Sequence, residues 1–215
     1  MGKSIFLGTL SLTLYFAASA GYVAAETRDE TAASYLELGN KFARHGDFSR
    51  AVGAYNIALQ FAPDFAPAYF SRAVAYEARG ETSKAIADYS RALDIIPSLT
   101  TAFYNRGNLR FREGDLDGAL SDFDQALESD PRYVMAYNNR GITKASIGNF
   151  DGAMADFDEA IRIDSRNPEA YVNRGLLRLQ QGQKTEAERD FARSVSLRPS
   201  LRAFIDSRIS QISQR

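Results

Sequence analysis

From Ala32 to Leu201, apolar and small side chains fall three or four residues apart in short bursts, each ended by glycine or proline. The first burst holds Tyr35, Gly39 and Phe42, and the second holds Ala51, Tyr55 and Ala58. Such spacing puts the residues on one face of an α-helix, whereas a strand would alternate. Gly46 between the bursts suits the left-handed residue that ends a helix, and Asp47 beside it suits the opening of another. Pro63 stops the second helix, because proline has no N–H to give to the preceding turn. The predicted unit is a pair of short helices.

That unit recurs. Gly46, Gly80, Gly114, Gly148 and Gly182 stand 34 residues apart, and so do Ala51, Ala85, Ala119, Ala153 and Ala187. Two aromatic columns keep the same step: Tyr35, Tyr69, Phe103, Tyr137, Tyr171, and Tyr55, Tyr89, Phe123, Phe157, Phe191. A period of this length marks a stack of supersecondary units, here 32–65, 66–99, 100–133, 134–167 and 168–201. An Asp, Glu, Asn or Gln follows each glycine and is expected to open the second helix. A small residue four places after the first aromatic (Gly39, Ala73, Gly107, Gly141, Gly175) lets two helices approach closely. Proline closes the unit at 63, 97, 131 and 199, while the fourth unit has Ser165, with Pro168 expected to supply the stop.

These columns resemble the tetratricopeptide repeat over residues 32–201. The resemblance implies an all-α solenoid of five antiparallel helix hairpins, wound as a right-handed superhelix with a concave inner face. Residues 202–215 then read as a capping helix, needed because the last hairpin has no neighbour. Leu201, Phe204, Ile205, Ile209 and Ile212 form its expected apolar stripe, with Arg202, Asp206, Arg208 and Gln211 facing water.

One column departs from the family pattern. Before the first-helix small residue, where an apolar side chain is usual, stand Arg72, Arg106, Arg140 and Arg174, but Leu38 in the first unit. Sixteen residues after each arginine come Asp88, Asp122, Asp156 and Asp190, with Ala54 in the first unit. The two residue types appear together and vanish together, which points to contact. The expected contact is a salt bridge within a hairpin or between neighbouring hairpins; the alternative is a row of ligand-binding arginines.

The resemblance also implies where a ligand would lie. Groove-lining places of the first helices hold Asn40, Phe70, Ser71, Tyr104 and Asn105. Further along they hold Asn108, Phe111, Asn138, Asn139 and Asn173. Asn105, Asn139 and Asn173 share one column, a ladder of amides that can grip an extended peptide backbone or bond to one another. Some family members clamp a C-terminal carboxylate with two asparagines and basic residues. Asn108 and Asn139 match those asparagines, but Tyr104, Glu169 and Asn173 stand where the basic residues would be, so that function is not carried over.

The first 25 residues stand apart from the repeats. Lys3 precedes an apolar run from Ile5 to Phe16, the length of a signal-peptide core, followed by small residues that suit cleavage after Ala25 or Ala20. An uncleaved anchor is the alternative, although the run is shorter than the roughly 20 residues that span a bilayer. Residues 26–31 read as a short linker. The expected location is periplasmic or secreted, with no membrane attachment after cleavage.

Composition narrows the function further. A net charge of −1, from 26 basic and 27 acidic groups, provides no field that would hold nucleic acid. No cysteine is present, so disulfides and thiol chemistry are excluded. The single histidine, His45, sits in an inter-helix turn, and the carboxylates fall in repeat columns, so no catalytic constellation or cofactor site is expected. The sequence therefore points to a non-enzymatic scaffold that binds a protein or peptide partner, with a self-associating structural component as the alternative.

Overall fold

A computed structural model of the chain describes residues 27–213, and every regular element among them is helical. The segment read as a signal peptide, with its two candidate cleavage sites, lies outside the described residues. Residues 27–31, read from the sequence as part of a linker, are already helical. One compact unit ends at Pro97 and a second begins at Ser98. Among the described residues no helix is long and apolar enough to cross a membrane.

The first unit contains two hairpins. Helix α1 covers residues 27–44 and α2 runs Phe48–Phe61; α3 runs Ala66–Ala78 and α4 Thr82–Ile95. Its core is built from the alanine and aromatic columns: Ala51, Val52, Tyr55 and Ala75 form one buried cluster, and Ala32, Ala58, Leu59 and Ala68 another. The second unit contains three hairpins and a last helix. These are α5 (Thr100–Glu113) with α6 (Leu116–Ser129), α7 (Val134–Ser146) with α8 (Phe150–Ile163), and α9 (Pro168–Gln180) with α10 (Lys184–Leu197). A 3₁₀ turn at Pro199–Leu201 leads to α11 (Arg202–Ser213).

The joints follow from local chemistry. Gly46, Gly80, Gly114, Gly148 and Gly182 have φ of 76°, 73°, 83°, 82° and 79°, the left-handed region in which a side chain is strained. Asp47, Asp115 and Asn149 then accept the backbone N–H of Arg50, Gly118 and Gly152, each at 3.0 Å. Glu81 and Gln183 occupy the same capping position without a side-chain cap bond. Their extra methylene suits them poorly to that short bond, for which Asp and Asn are preferred. Glu81 instead pairs with Arg79 and Lys84.

The close approach at the small-residue column is visible at Gly141, where an added Cβ would lie 2.7 Å from Cε1 of Phe157. The second-helix aromatic therefore fills the space a first-helix side chain would need.

The fourth hairpin corrects the expectation about Pro168. Helix α8 ends at Ile163, in phase with the other second helices, and Pro168 is the first residue of α9. Asp164 makes the turn by accepting the Arg166 N–H at 2.9 Å, as Asp130 does from Arg132. Asp164 also has the extended backbone (φ −134°, ψ 92°) that Asp130 adopts before Pro131 (φ −138°, ψ 95°). Position 165 is thus preshaped for proline. Ser165→Pro is expected to raise stability by about 0.4–1 kcal/mol by restricting the unfolded chain, read as a shift in denaturation midpoint. A loss of stability would show that the turn needs the Ser165 N–H.

Helix α11 packs where the first helix of another hairpin would stand. Ile205 falls 34 residues after Tyr171, in the first aromatic column, and is buried with Val172, Ala187 and Phe191. Leu201 and Ile209 complete the contact. Phe204 does not belong to the stripe: it is 52% exposed, because the buried side follows the four-residue step 201, 205, 209 and leaves 204 on its flank.

Candidate functional site

The arginine and aspartate columns meet inside each hairpin that has them. Arg72 donates through Nε and Nη2 to the two carboxylate oxygens of Asp88, at 2.6 and 2.8 Å. Arg106 holds Asp122 at 3.0 and 2.7 Å, and Arg140–Asp156 and Arg174–Asp190 repeat the fork, each at 2.9 and 2.6 Å. The four aspartates are only 6%, 1%, 4% and 3% exposed, so charge-assisted, two-pronged bonds satisfy carboxylates that have left water.

Three of the guanidinium groups do more than hold their own hairpin. Nη1 of Arg72 reaches Asn56 of the preceding hairpin, while Arg140 reaches Asp124 and Arg174 reaches Asp158, all at 2.6 Å. The arginine also lies over the first-helix aromatic three residues before it, 5.3 Å from the Tyr137 ring centre for Arg140. It therefore clamps two helices of one hairpin and the hairpin behind. For Arg140, burial alone would lower the pKa, but the bonds to Asp156 and Asp124 outweigh it and the guanidinium is pushed upward. These arginines are occupied by the fold and do not form a ligand row.

A second cation column accompanies them. Arg110, Lys144 and Arg178 bond Asp122, Asp156 and Asp190 at 2.9, 2.8 and 2.7 Å. Their step of 34 residues is present in the sequence, and reading that column would have found them. Phe42 and Tyr76 take the same place in the first unit, so Asp88 has Arg72 as its cation.

The groove candidates separate into two sets. In the first unit, Asn40 accepts the Tyr55 hydroxyl at 2.8 Å, and Phe70 packs edge-on against Tyr89 with ring centres 5.6 Å apart. Burial pushes the Tyr55 phenol up, opposed by a hydrogen bond with Ser71 and the charge of Arg44. In the second unit the amides bond to one another. Asn139 donates to Asn108 at 2.6 Å and to the Tyr104 hydroxyl at 3.2 Å, and Asn173 donates to Asn138 at 2.9 Å. Asn105 is half-buried on the same helix as Tyr104.

Two cavities open along this amide row. One, of about 320 Å³, is lined by Asn108, Phe111, Arg112, Phe123, Asn139 and Ile142. The other, of about 240 Å³, is lined chiefly by Ile142, Phe157, Asn173, Leu176 and Gln180, with Arg208 of α11 at its edge. They are equivalent places one repeat apart: Phe123 and Phe157 share a column, as do Asn139 and Asn173, and Ile142 and Leu176. Asn108, Phe111, Asn139 and Asn173 thus converge on one face of α5, α7 and α9, while Asn40, Phe70 and Ser71 belong to the other unit. The cavity-lining Arg112, Ile142 and Leu176 were not singled out from sequence; their signal was helical spacing from the asparagines.

The fold and this face define a class: helical hairpins in series, with a row of first-helix side chains along one face of α5, α7 and α9. The tetratricopeptide repeat family model matches residues 36–99, 104–168 and 145–201. The chain belongs to the tetratricopeptide repeat family. No curated protein sequence matches it. Among solved structures, it is similar to MamA at 23% identity, covering 75% of this chain and 95% of that one with a TM-score of 0.71. YrrB, described as a TPR protein with an unusual peptide-binding site, is 21% identical over 83% of this chain and 92% of its own, TM-score 0.68. A tetratricopeptide repeat protein of Parabacteroides merdae is 21% identical over 85% of this chain and 72% of its own, TM-score 0.76. At these identities the likeness establishes the fold.

Proposed function

We propose that this chain is a non-enzymatic protein-interaction scaffold, acting outside the cytoplasm, that binds a segment of a partner protein on the α5–α7–α9 face. The observation that carries the reading is the pair of equivalent cavities beside a row of amides, each with apolar walls and polar groups at its edge. Such sites suit apolar anchors with a few placed polar contacts. The peptide-binding site named for YrrB supports the reading by analogy of fold. The export part of the proposal rests on the segment before Glu26 alone.

Ile142 belongs to both cavities, so Ile142→Glu places a charge in each; because Ile142 also packs against Ala153, Phe157 and Leu177, an unchanged denaturation midpoint is part of the control. Capture of partner proteins from cell-envelope extract by the parent chain is expected to fall at least tenfold with this variant, with an unchanged circular dichroism spectrum. Equal capture by both proteins would move the binding surface off this face.

A further inference from the structure

We infer that the chain forms a two-fold dimer through its last helix, with α11 of a second copy lying antiparallel in the crevice between α10 and α11. This surface is separate from the proposed peptide-binding face and does not depend on it.

The crevice has a cause in the repeat. Helix α7 lies along α6 and α9 along α8, whereas α11 rests on α9 and on the 3₁₀ turn. Arg140 and Arg174 reach back sixteen residues to Asp124 and Asp158, which ties each first helix to the hairpin before it. Arg208 continues the arginine column, but the residue sixteen before it is Ala192. Its guanidinium donates instead to Gln211 of its own helix, at 2.9 Å. The last joint lacks this tie. A cavity of about 240 Å³ remains there, walled by Phe191, Val195, Ile205 and Ile209. Phe191 is 8% exposed, against 0% for Phe123 and 1% for Phe157 in the same column. Covering this apolar surface is favourable.

The first helix does not suit the crevice. Ala68 and Ala75 of α3 are buried against α2, and Leu177 of α9 against α8. In α1 the same places hold Ser34 and Lys41, both exposed. A second copy docked head to tail would set these polar side chains against apolar walls.

The rim selects α11 itself. Arg202 and Asp206 lie one turn apart on the flank of α11 that borders the crevice, and Glu188 of α10 lines the same space. None of the three takes part in an ion pair among the described residues. A rim carrying both signs suits neither a uniformly acidic nor a uniformly basic segment. It is complementary to its own copy. With a second α11 antiparallel, Arg202 meets the partner's Asp206 and Asp206 meets the partner's Arg202, as a two-fold contact requires. Ala203 and Ser210 beside them are small, and the Ser210 hydroxyl donates back to the Asp206 carbonyl at 3.0 Å. A helix can therefore come close to this flank without stranding a polar group. The contact is self-complementary, so assembly closes at two.

The test is mass by analytical ultracentrifugation across a dilution series. The parent chain is expected to reach twice the single-chain mass. Arg202→Asp leaves two acidic groups on the flank, and Asp206→Arg leaves two basic ones. Symmetry repeats the contact, so either substitution turns two attractions into two repulsions. The dissociation constant of each variant alone is expected to rise about tenfold or more. Both positions are exposed, so the circular dichroism spectra are expected to match the parent. An equimolar mixture of the two variants is expected to recover the double mass, because an acidic flank then meets a basic one. A parent chain of single mass throughout the series overturns the inference, as does a mass that keeps growing beyond two chains. Variants that dimerise like the parent, or a mixture that does not recover the dimer, overturn it as well.

Discussion

Arg72→Leu is expected to cost about 3–5 kcal/mol in the second hairpin, the usual range when one partner of a buried ion pair is removed. Asp88 is the reason. Its carboxylate is 6% exposed, takes both prongs of Arg72, and has no second cation because Tyr76 stands where Arg110, Lys144 and Arg178 stand later. The bonds from Asp88 hold the Arg72 guanidinium above its ordinary pKa, so the arginine stays charged throughout the accessible pH range. Arg140→Leu removes the same fork but leaves Asp156 bonded to Lys144 at 2.8 Å, and its cost is expected to be smaller. Adding Asp88→Ala to Arg72→Leu recreates the Leu38/Ala54 pair of the first hairpin, where Phe42 again takes the eleventh place. The double variant is expected to recover most of the loss, because an apolar pair often replaces a buried ion pair at little cost.

Hydrogen exchange of the α3 and α4 amides is the better measurement, since a repeat stack can open one hairpin at a time and a single unfolding midpoint blurs this. Additive single-variant effects would show that the two side chains are not coupled.

What the sequence disclosed and what it hid divide along physical lines. Features set by backbone geometry were open to reading: glycine at positive φ, helices at period 34, and the small residue opposite each second-helix aromatic. The arginine–aspartate contact was legible because the first hairpin lacks both members, which ties two distant columns together. The second cation at Asp122, Asp156 and Asp190 was less visible, because a basic residue late in a helix has an ordinary surface explanation and Arg110, Lys144 and Arg178 mix two residue types. Proline at 168 was misread since proline both stops and starts helices, and only the capping bond from the Ala170 N–H to Asn167 shows which. The amide row could be read as ligand-facing or self-bonded; three-dimensional placement shows the self-bonds, and also the cavities beside them. Phe204 looked apolar and therefore buried, but a helix covering one neighbour buries only a narrow stripe.

That narrow stripe makes the last helix the second sensitive point. Ile205→Asp is expected to undock α11, with a loss of at least about 3 kcal/mol in its attachment. Truncating a buried Ile already costs about 2–5 kcal/mol, and carrying a carboxylate into the apolar contact adds a desolvation penalty. Ile205 is 3% exposed among Val172, Ala187 and Phe191, with Arg202, Asp206 and Glu188 lining the cavity beside it, so a carboxylate there meets charges of both signs and loses the apolar contact. The hairpins before it are held by their own ion pairs and aromatic packing, so the effect should stay local, as nearest-neighbour stacks require. Undocking uncovers Val172, Leu176, Leu179, Phe191 and Val195 together, and an apolar surface of that kind invites association. Light scattering across a dilution series is therefore expected to show concentration-dependent mass growth for Ile205→Asp beyond that of the parent chain. Phe204→Asp, one residue away but exposed, is expected to stay within about 0.5 kcal/mol of the parent and to scatter like it. If both variants behave alike, α11 is not held by the Ile205 contact and its role as a cap fails.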